Sequence, residues 1–232
     1  MKFYDFLTTP ELCGHEFTGE TWAAHREVIA RLWDGDAHLI PREYHALACQ
    51  LLGCETLPEP GEPAEMYLGF GRRSGKTRLE AAAAVHAWAQ DYRGGGGLSV
   101  GEWATISIHA VDKRQAGVAF GYCEGLIRAS PAMSSWLLKE PTSTVIESTH
   151  QTRIEIFSSN FRSARGYSMP LAVVDECAFL RDEFSATPDI ELRRALLPAL
   201  ATLRGRLLVA SSLHRRAGLM YEMHRKHFGK AA

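Results

Sequence analysis

One stretch constrains this chain more than any other: Gly69-Phe70-Gly71-Arg72-Arg73-Ser74-Gly75-Lys76-Thr77. A short apolar run, Met66-Tyr67-Leu68, leads into it, and an Ala-rich helical stretch from Arg78 to about Tyr92 follows. Strand, glycine-rich turn, Gly-Lys-Thr and helix is an order suited to cradling phosphates. Backbone N–H groups of such a turn point inward, and the helix N-terminus adds partial positive charge. Lys76 then reaches the outer phosphates and the Thr77 hydroxyl ligates Mg²⁺. The usual spacing puts the first glycine at position 70, where this chain has Phe70. Gly71 and Gly75 still give the backbone the freedom to turn. Gly71, Arg72, Arg73, Ser74, Gly75, Lys76, Thr77 and Arg78 are therefore the predicted nucleotide-binding set. The competing reading, a glycine-rich turn before an ordinary surface helix, explains the flanking elements less well.

The bulk properties narrow the field. The 232 residues, 46% of them hydrophobic, suit one sizeable α/β domain, or one domain with a small appendage, and exclude a disordered chain. Residues 1–40 read as an N-terminal helical segment and 41–232 as the phosphate-loop domain. No apolar run approaches the roughly 18–20 residues that cross a bilayer. Met1-Lys2-Phe3-Tyr4-Asp5 lacks the basic-then-apolar order of a secretory signal. Five scattered cysteines, none in a Cys-x-x-Cys pair, read as thiols in a reducing compartment. Cys13-Gly14-His15 and the His224–His227 segment each lack a matching second half, so a zinc site is not expected. The formal net charge of −1 gives no global nucleic-acid footprint, and any DNA contact falls to local clusters such as Arg72-Arg73, Arg193-Arg194 and Arg215-Arg216.

Along the chain, helices are expected over Thr21–Trp33 and Arg42–Leu52, the second closed by Gly53. Leu57–Pro63, rich in proline, is a connector, and Gly94–Gly97 a flexible surface loop. Trp103–Ile108 reads as a buried strand, followed by a helix from Asp112 to Arg128. Pro131–Leu138 is a short helix, and Thr144–Glu147 with Arg153–Phe157 forms a hairpin. Leu171-Ala172-Val173-Val174, wholly apolar, has the pattern of a central parallel strand. A helix opens at Pro188 and runs to about Leu203, with Pro198 set to kink or split it. Leu207–Ala210 is a last buried strand, and a helix near Leu219–His227 follows. The class is α/β, with a mostly parallel central sheet flanked by helices; its phosphate loop and acid-ended strand resemble those of a P-loop NTPase of the additional-strand, catalytic-glutamate type.

The chemistry gathers at strand ends, where such sheets bind ligands. Val174 is followed by Asp175-Glu176, about a hundred residues beyond the phosphate loop. Asp175 is placed to hold Mg²⁺ beside Thr77, and Glu176 to activate the attacking water as general base. Arg72 and Arg73 either reach γ-phosphate oxygens or support the loop from solvent. Arg165, in a loop of small residues, is either an arginine finger, acting in cis or on a neighbouring subunit, or a surface arginine. Ser211-Ser212 after the last strand either contact the γ-phosphate and report its loss or simply form a turn.

In this order, these segments resemble the ATPase domain of a large terminase subunit, the motor that packages DNA into tailed-phage heads. The resemblance rests on Gly71–Thr77, Asp112-Lys113-Arg114-Gln115-Ala116, Phe161–Ser168, Val173–Phe179 and Val209–Leu213. It implies that Lys76 and Thr77 bind the phosphates and Mg²⁺ of ATP, that Arg72 is the loop arginine and that Glu176 is the catalytic glutamate. Arg165 takes the place of the arginine that acts on a neighbour's ATP. Ser211-Ser212 corresponds to the coupling motif, with Leu213 where proline is usual. Pro41–His45 matches the adenine-binding stretch, in which Tyr44 either stacks on the base or packs in a core. The implied partners are double-stranded DNA, a portal protein, a small terminase subunit and further copies in a pentameric ring, with a monomer in isolation. The implied compartment is the host cytoplasm. The family also carries a nuclease domain, which nothing after His227 supplies; either the chain is truncated, which is the expectation, or the nuclease lies on another chain. A helicase-like translocase and a nucleotide-binding assembly module with little turnover are the alternatives. The first usually needs a second similar core, and Glu176 argues against the second.

Overall fold

The computed structural model describes residues 1–95, 97–157, 166–180, 185 and 187–230. The chain divides into two compact units, Met1–Pro63 with Tyr221–Ala232, and Ala64–Met220. The division therefore falls at the proline-rich connector and not at residue 40, and the phosphate-loop unit begins at Ala64.

In the smaller unit, α1 (Phe3–Thr8) has no capping side chain of its own. The buried Asp34 supplies the cap from a distance, accepting the Phe3 and Tyr4 N–H groups at 2.8 Å each. The expected Thr21–Trp33 helix is a 3₁₀ turn, Glu20–Trp22, then a wide π-type segment, Ala24–Ala30, ending in α2 (Arg31–Trp33). A 3₁₀ turn over Arg42–Tyr44 leads into α3 (His45–Leu52). Gly53 ends that helix at φ +70°, and a Cβ there would sit 2.4 Å from the Phe228 ring. Val28, Ala37, Ile40 and Ala48 form one buried cluster of this unit, and Tyr44 packs against it.

The larger unit is built on a sheet of six strands among the described residues. β1 (Glu65–Phe70) runs into the phosphate loop, and α4 (Lys76–Trp88) leaves it. β2 (Ala104–His109) is buried at every position and feeds α5 (Lys113–Ala129). Asp112 caps α5 by accepting the Gln115 N–H at 2.9 Å. The short α6 (Pro131–Ser134) precedes a hairpin of β3 (Val145–Glu147) and β4 (Thr152–Phe157). β5 (Ser168–Asp175) is also buried throughout, so both of its faces are covered. α7 (Pro188–Ala201) continues through Pro198 without splitting and packs on β5. β6 (Arg206–Ser212) and α8 (Leu219–His227) complete the order.

The strand order is β1-β6-β5-β2-β4-β3, parallel except for the β3–β4 hairpin. One strand, β6, thus lies between the phosphate-loop strand and the acidic strand, as the additional-strand class requires. The carboxyl ends of β1, β6 and β5 consequently lie side by side, with Gly69 opposite Ser211 and Asp175 opposite Ala210. That adjacency creates the site.

Candidate functional site

The loop after β1 turns through two left-handed residues, Arg73 at φ +62° and Gly75 at φ +81°. Gly75 is the N-cap of α4, and the Ser74 hydroxyl braces the turn by donating to the Gly71 carbonyl at 2.8 Å. Alternating the sign of φ points successive N–H groups into one concavity. Gly71, Arg72 and Arg73 are exposed, whereas Lys76, the first residue of α4, is buried.

A cavity of about 420 Å³ opens over this loop, walled by residues 71 to 78, Asp175, Glu176 and Ser212, with Gln115, Val118 and Tyr122 from α5. Most of the predicted nucleotide and metal residues thus come together. A larger cavity, about 730 Å³, involves Glu102, Tyr167, Ser168 and Arg194 at the amino ends of β2 and β5. It contains no phosphate-cradling turn, and ligands of parallel sheets gather at the opposite strand ends.

Lys76 pairs with Asp175 and lies 2.9 Å from Glu176 Oε1. Glu176 leaves the β5 end in the left-handed region, φ +52° and ψ +42°, which a non-glycine residue occupies only where its surroundings hold it. They do so here. The Ser212 N–H donates to Glu176 Oε2 at 3.0 Å, and the Ser211 and Ser212 hydroxyls each approach the carboxylate at 3.3 Å. The buried Ser211 Oγ also accepts the Ala178 N–H at 3.1 Å, pinning the turn beyond Glu176.

Charge is unbalanced in this cluster. Burial would push the Lys76 ammonium down, but Glu80, Asp175 and Glu176 outweigh it and hold it above the usual lysine value. Burial favours protonated Glu176, yet the Ser212 N–H and Lys76 outweigh that and leave it below the usual range, ionised and able to accept a proton. Asp175 is raised by burial, against the pull of Lys76. Glu80, one turn beyond Lys76 on α4 and 1% exposed, is raised well above normal by burial and then by Asp175. Three acids thus share one lysine, and the fully enclosed Glu80 is the one that burial drives most plainly toward its neutral form.

Thr77 and Asp175 face the same cavity and offer hard oxygen donors. Among the described residues no cluster of three or more His, Cys, Asp or Glu is arranged for a metal. A two-oxygen set suits Mg²⁺, which keeps several waters and takes its other ligands from phosphates.

Three further sequence expectations concern Arg165, Tyr44 and Ser211. Arg165 lies outside the described residues. Tyr44 belongs to the smaller unit, packed on that unit's core. Ser211 is buried beneath the site, so only Ser212 faces the cavity. The sequence reading missed Val118, Tyr122 and Glu80. Gln115, Val118 and Tyr122 recur at i, i+3 and i+7, one helix face, with the last two 52% and 42% exposed. Glu80 is a lone acid in the otherwise apolar run Leu79–Val85, and that isolation is the signal that could have found it.

No protein-family model matches the sequence, and no curated protein matches it. Solved structures do. The HK97 bacteriophage large terminase is 19% identical over 66% of this chain and 30% of its own length, with a TM-score of 0.50. The large terminase of a thermophilic bacteriophage is 7% identical over 73% of this chain and 40% of its own, with a TM-score of 0.52. A Thermus phage large terminase ATPase domain is 16% identical over 76% and 72% of the two chains, with a TM-score of 0.49. The chain therefore spans well under half the length of the first two of these proteins. At these identities the likeness is one of architecture: the chain has the P-loop NTPase fold of the bacteriophage large terminases.

Proposed function

We propose that this chain hydrolyses ATP with Mg²⁺ and uses the energy to move double-stranded DNA into a viral capsid, as the ATPase part of a large terminase. The observation that carries this reading is Glu176: an ionised carboxylate held at the mouth of a phosphate-cradling loop by Lys76 and Ser212. A module that only binds nucleotide has no use for such an acid. The N–H groups of residues 71 to 77 hold the phosphates, and Lys76 exchanges its acidic partners for phosphate oxygens when ATP enters. Arg72, exposed at the rim, then meets charge developing on the γ-phosphoryl group. Thr77 and Asp175 would hold Mg²⁺, which neutralises phosphate charge when bound. Glu176 orients the attacking water and takes its proton. Loss of the γ-phosphate frees Lys76 to return to Asp175 and Glu176, which repositions the Ser212 strand end. Portal protein, small terminase subunit and further copies in a ring are the partners this role requires. The likeness in fold to the HK97 and thermophilic-phage terminases supports it.

Glu176→Gln keeps the shape of the acid and removes its basicity. Turnover is expected to fall by about 10²–10⁴-fold, with ATP affinity by equilibrium titration preserved. Turnover within a factor of two of wild type would rule out Glu176 as the base.

A further inference from the structure

Residues 213 to 217, between β6 and α8, are exposed along their whole length and follow directly on Ser212, whose N–H holds Glu176 at 3.0 Å. Three contacts tie this segment to its surroundings. Leu213, 76% exposed, lies over Gly69 at the entrance to the phosphate loop, where an added Cβ would come 3.2 Å from its Cδ2. The His214 ring meets Phe179 edge-on at 4.6 Å, and Phe179 ends the short turn that starts from Glu176. At the far end, Gly218 at φ +82° and the buried Asp189, accepting the Leu219 N–H at 2.6 Å, fix where α8 begins.

A segment anchored at both ends holds its middle out, and that middle is Arg215-Arg216. Both are exposed, and neither makes a hydrogen bond or an ion pair among the described residues. Arg215 is three residues beyond Ser212, so its Cα is within about 11 Å of that residue's. Two unneutralised guanidinium groups side by side, with no inward-turned glycine loop to wrap one phosphate, suit a row of backbone phosphates better than a single anion.

We infer that Leu213–Ala217 is a DNA-sensing segment: Arg215 and Arg216 engage the phosphate backbone of duplex DNA, and the His214–Phe179 and Ser212–Glu176 contacts pass that engagement to the acid that serves the reacting water. The coupling rests on the ATPase reading above; the DNA contact does not. Linkage makes the effect reciprocal, so nucleotide state alters the segment's affinity for DNA by the factor by which DNA alters nucleotide affinity.

The test measures two things on the full chain: anisotropy of a fluorescein-labelled duplex across a salt series, and ATP turnover with and without that duplex. Arg215→Ala/Arg216→Ala is expected to weaken duplex binding about tenfold and to reduce the salt slope by about 2, one unit for each phosphate no longer neutralised. It keeps basal turnover and loses stimulation by DNA. Phe179→Leu is expected to retain duplex affinity and lose stimulation, and His214→Ala, on the exposed side, repeats the result without touching the core. An unchanged affinity and salt slope in the double arginine variant overturns the contact, as does wild type that fails to bind duplex at low salt. Poly-glutamate, added as an acidic competitor, is expected to displace little duplex; competition as strong as that of unlabelled duplex overturns the DNA assignment in favour of protein docking. Stimulation surviving both Phe179→Leu and His214→Ala overturns the linkage. Absent basal turnover, with DNA binding lost in the arginine variant, sinks the ATPase reading and leaves the DNA contact standing.

Discussion

His109, at the carboxyl end of β2, is fully buried, stacked on Phe157 at 5.2 Å, and has no partner for either ring nitrogen among the described residues. Burial pushes its imidazole from 6.5 down to about 3. The folded protein keeps it neutral where the unfolded chain takes up a proton. This stabilising difference is whole above pH 6.5 and is lost as pH falls toward 3. About 2 kcal/mol disappears by roughly pH 5. His109→Leu removes the titration, so urea unfolding at neutral and mildly acidic pH should show a flatter acid limb than wild type; equal acid losses would locate the sensitivity elsewhere. Glu80 has the opposite sign. A carboxyl raised by folding stabilises most below its unfolded value and loses that contribution as pH rises. One buried group thus weakens the fold toward acid and the other toward alkali.

At the level of elements, the sheet depends on close backbone approaches that side chains would block. Gly205 lies just before β6, where an added Cβ would fall 2.0 Å from the Met169 carbonyl oxygen of β5. Gly205→Ala must push the two strands apart at the end where their pairing begins. A cost of at least about 2 kcal/mol is expected, read as a lower urea midpoint at unchanged slope. A change below about 0.5 kcal/mol would mean the α7–β6 connection yields easily. The same β5–β6 pairing sets Ser212 against Glu176 at the other end of the strands, so damage at Gly205 should also lower turnover.

For the whole molecule, the question is whether the site is complete in one chain. Arg72 and Arg73 stand exposed at the cavity rim, whereas Arg165, a candidate finger or a surface arginine from sequence, lies outside the described residues. An arginine supplied by a neighbour makes specific activity rise with protein concentration. It also lets Arg165→Ala mixed with Glu176→Gln recover turnover that neither variant has alone, because a mixed interface pairs one intact acid with one intact arginine. Flat activity with concentration and a silent Arg165→Ala would place a complete site within each chain and remove the ring from the mechanism.

Much of this was legible in the residues. Gly71–Thr77 announced a tight turn between a strand and a helix, because glycine at that spacing serves backbone geometry before any tertiary contact exists. The wholly apolar Leu171–Val174 announced a strand buried on both faces, and Asp175-Glu176 the acids at its end. Asp112 announced the start of α5 by local capping alone. Strand order was not legible in any local period, because pairing is decided by which buried faces fit across a crossover; that β6 enters between β1 and β5 was expected only through the additional-strand class. The tertiary structure alone therefore decided that Ser212 grips Glu176, that Lys76 is shared among three acids, and that Val118 and Tyr122 wall the cavity while Tyr44 packs in the other unit's core. Periodicity and turn chemistry act over a few residues and can be read directly; the electrostatics of the site arise between residues about a hundred positions apart, and only folding brings those together.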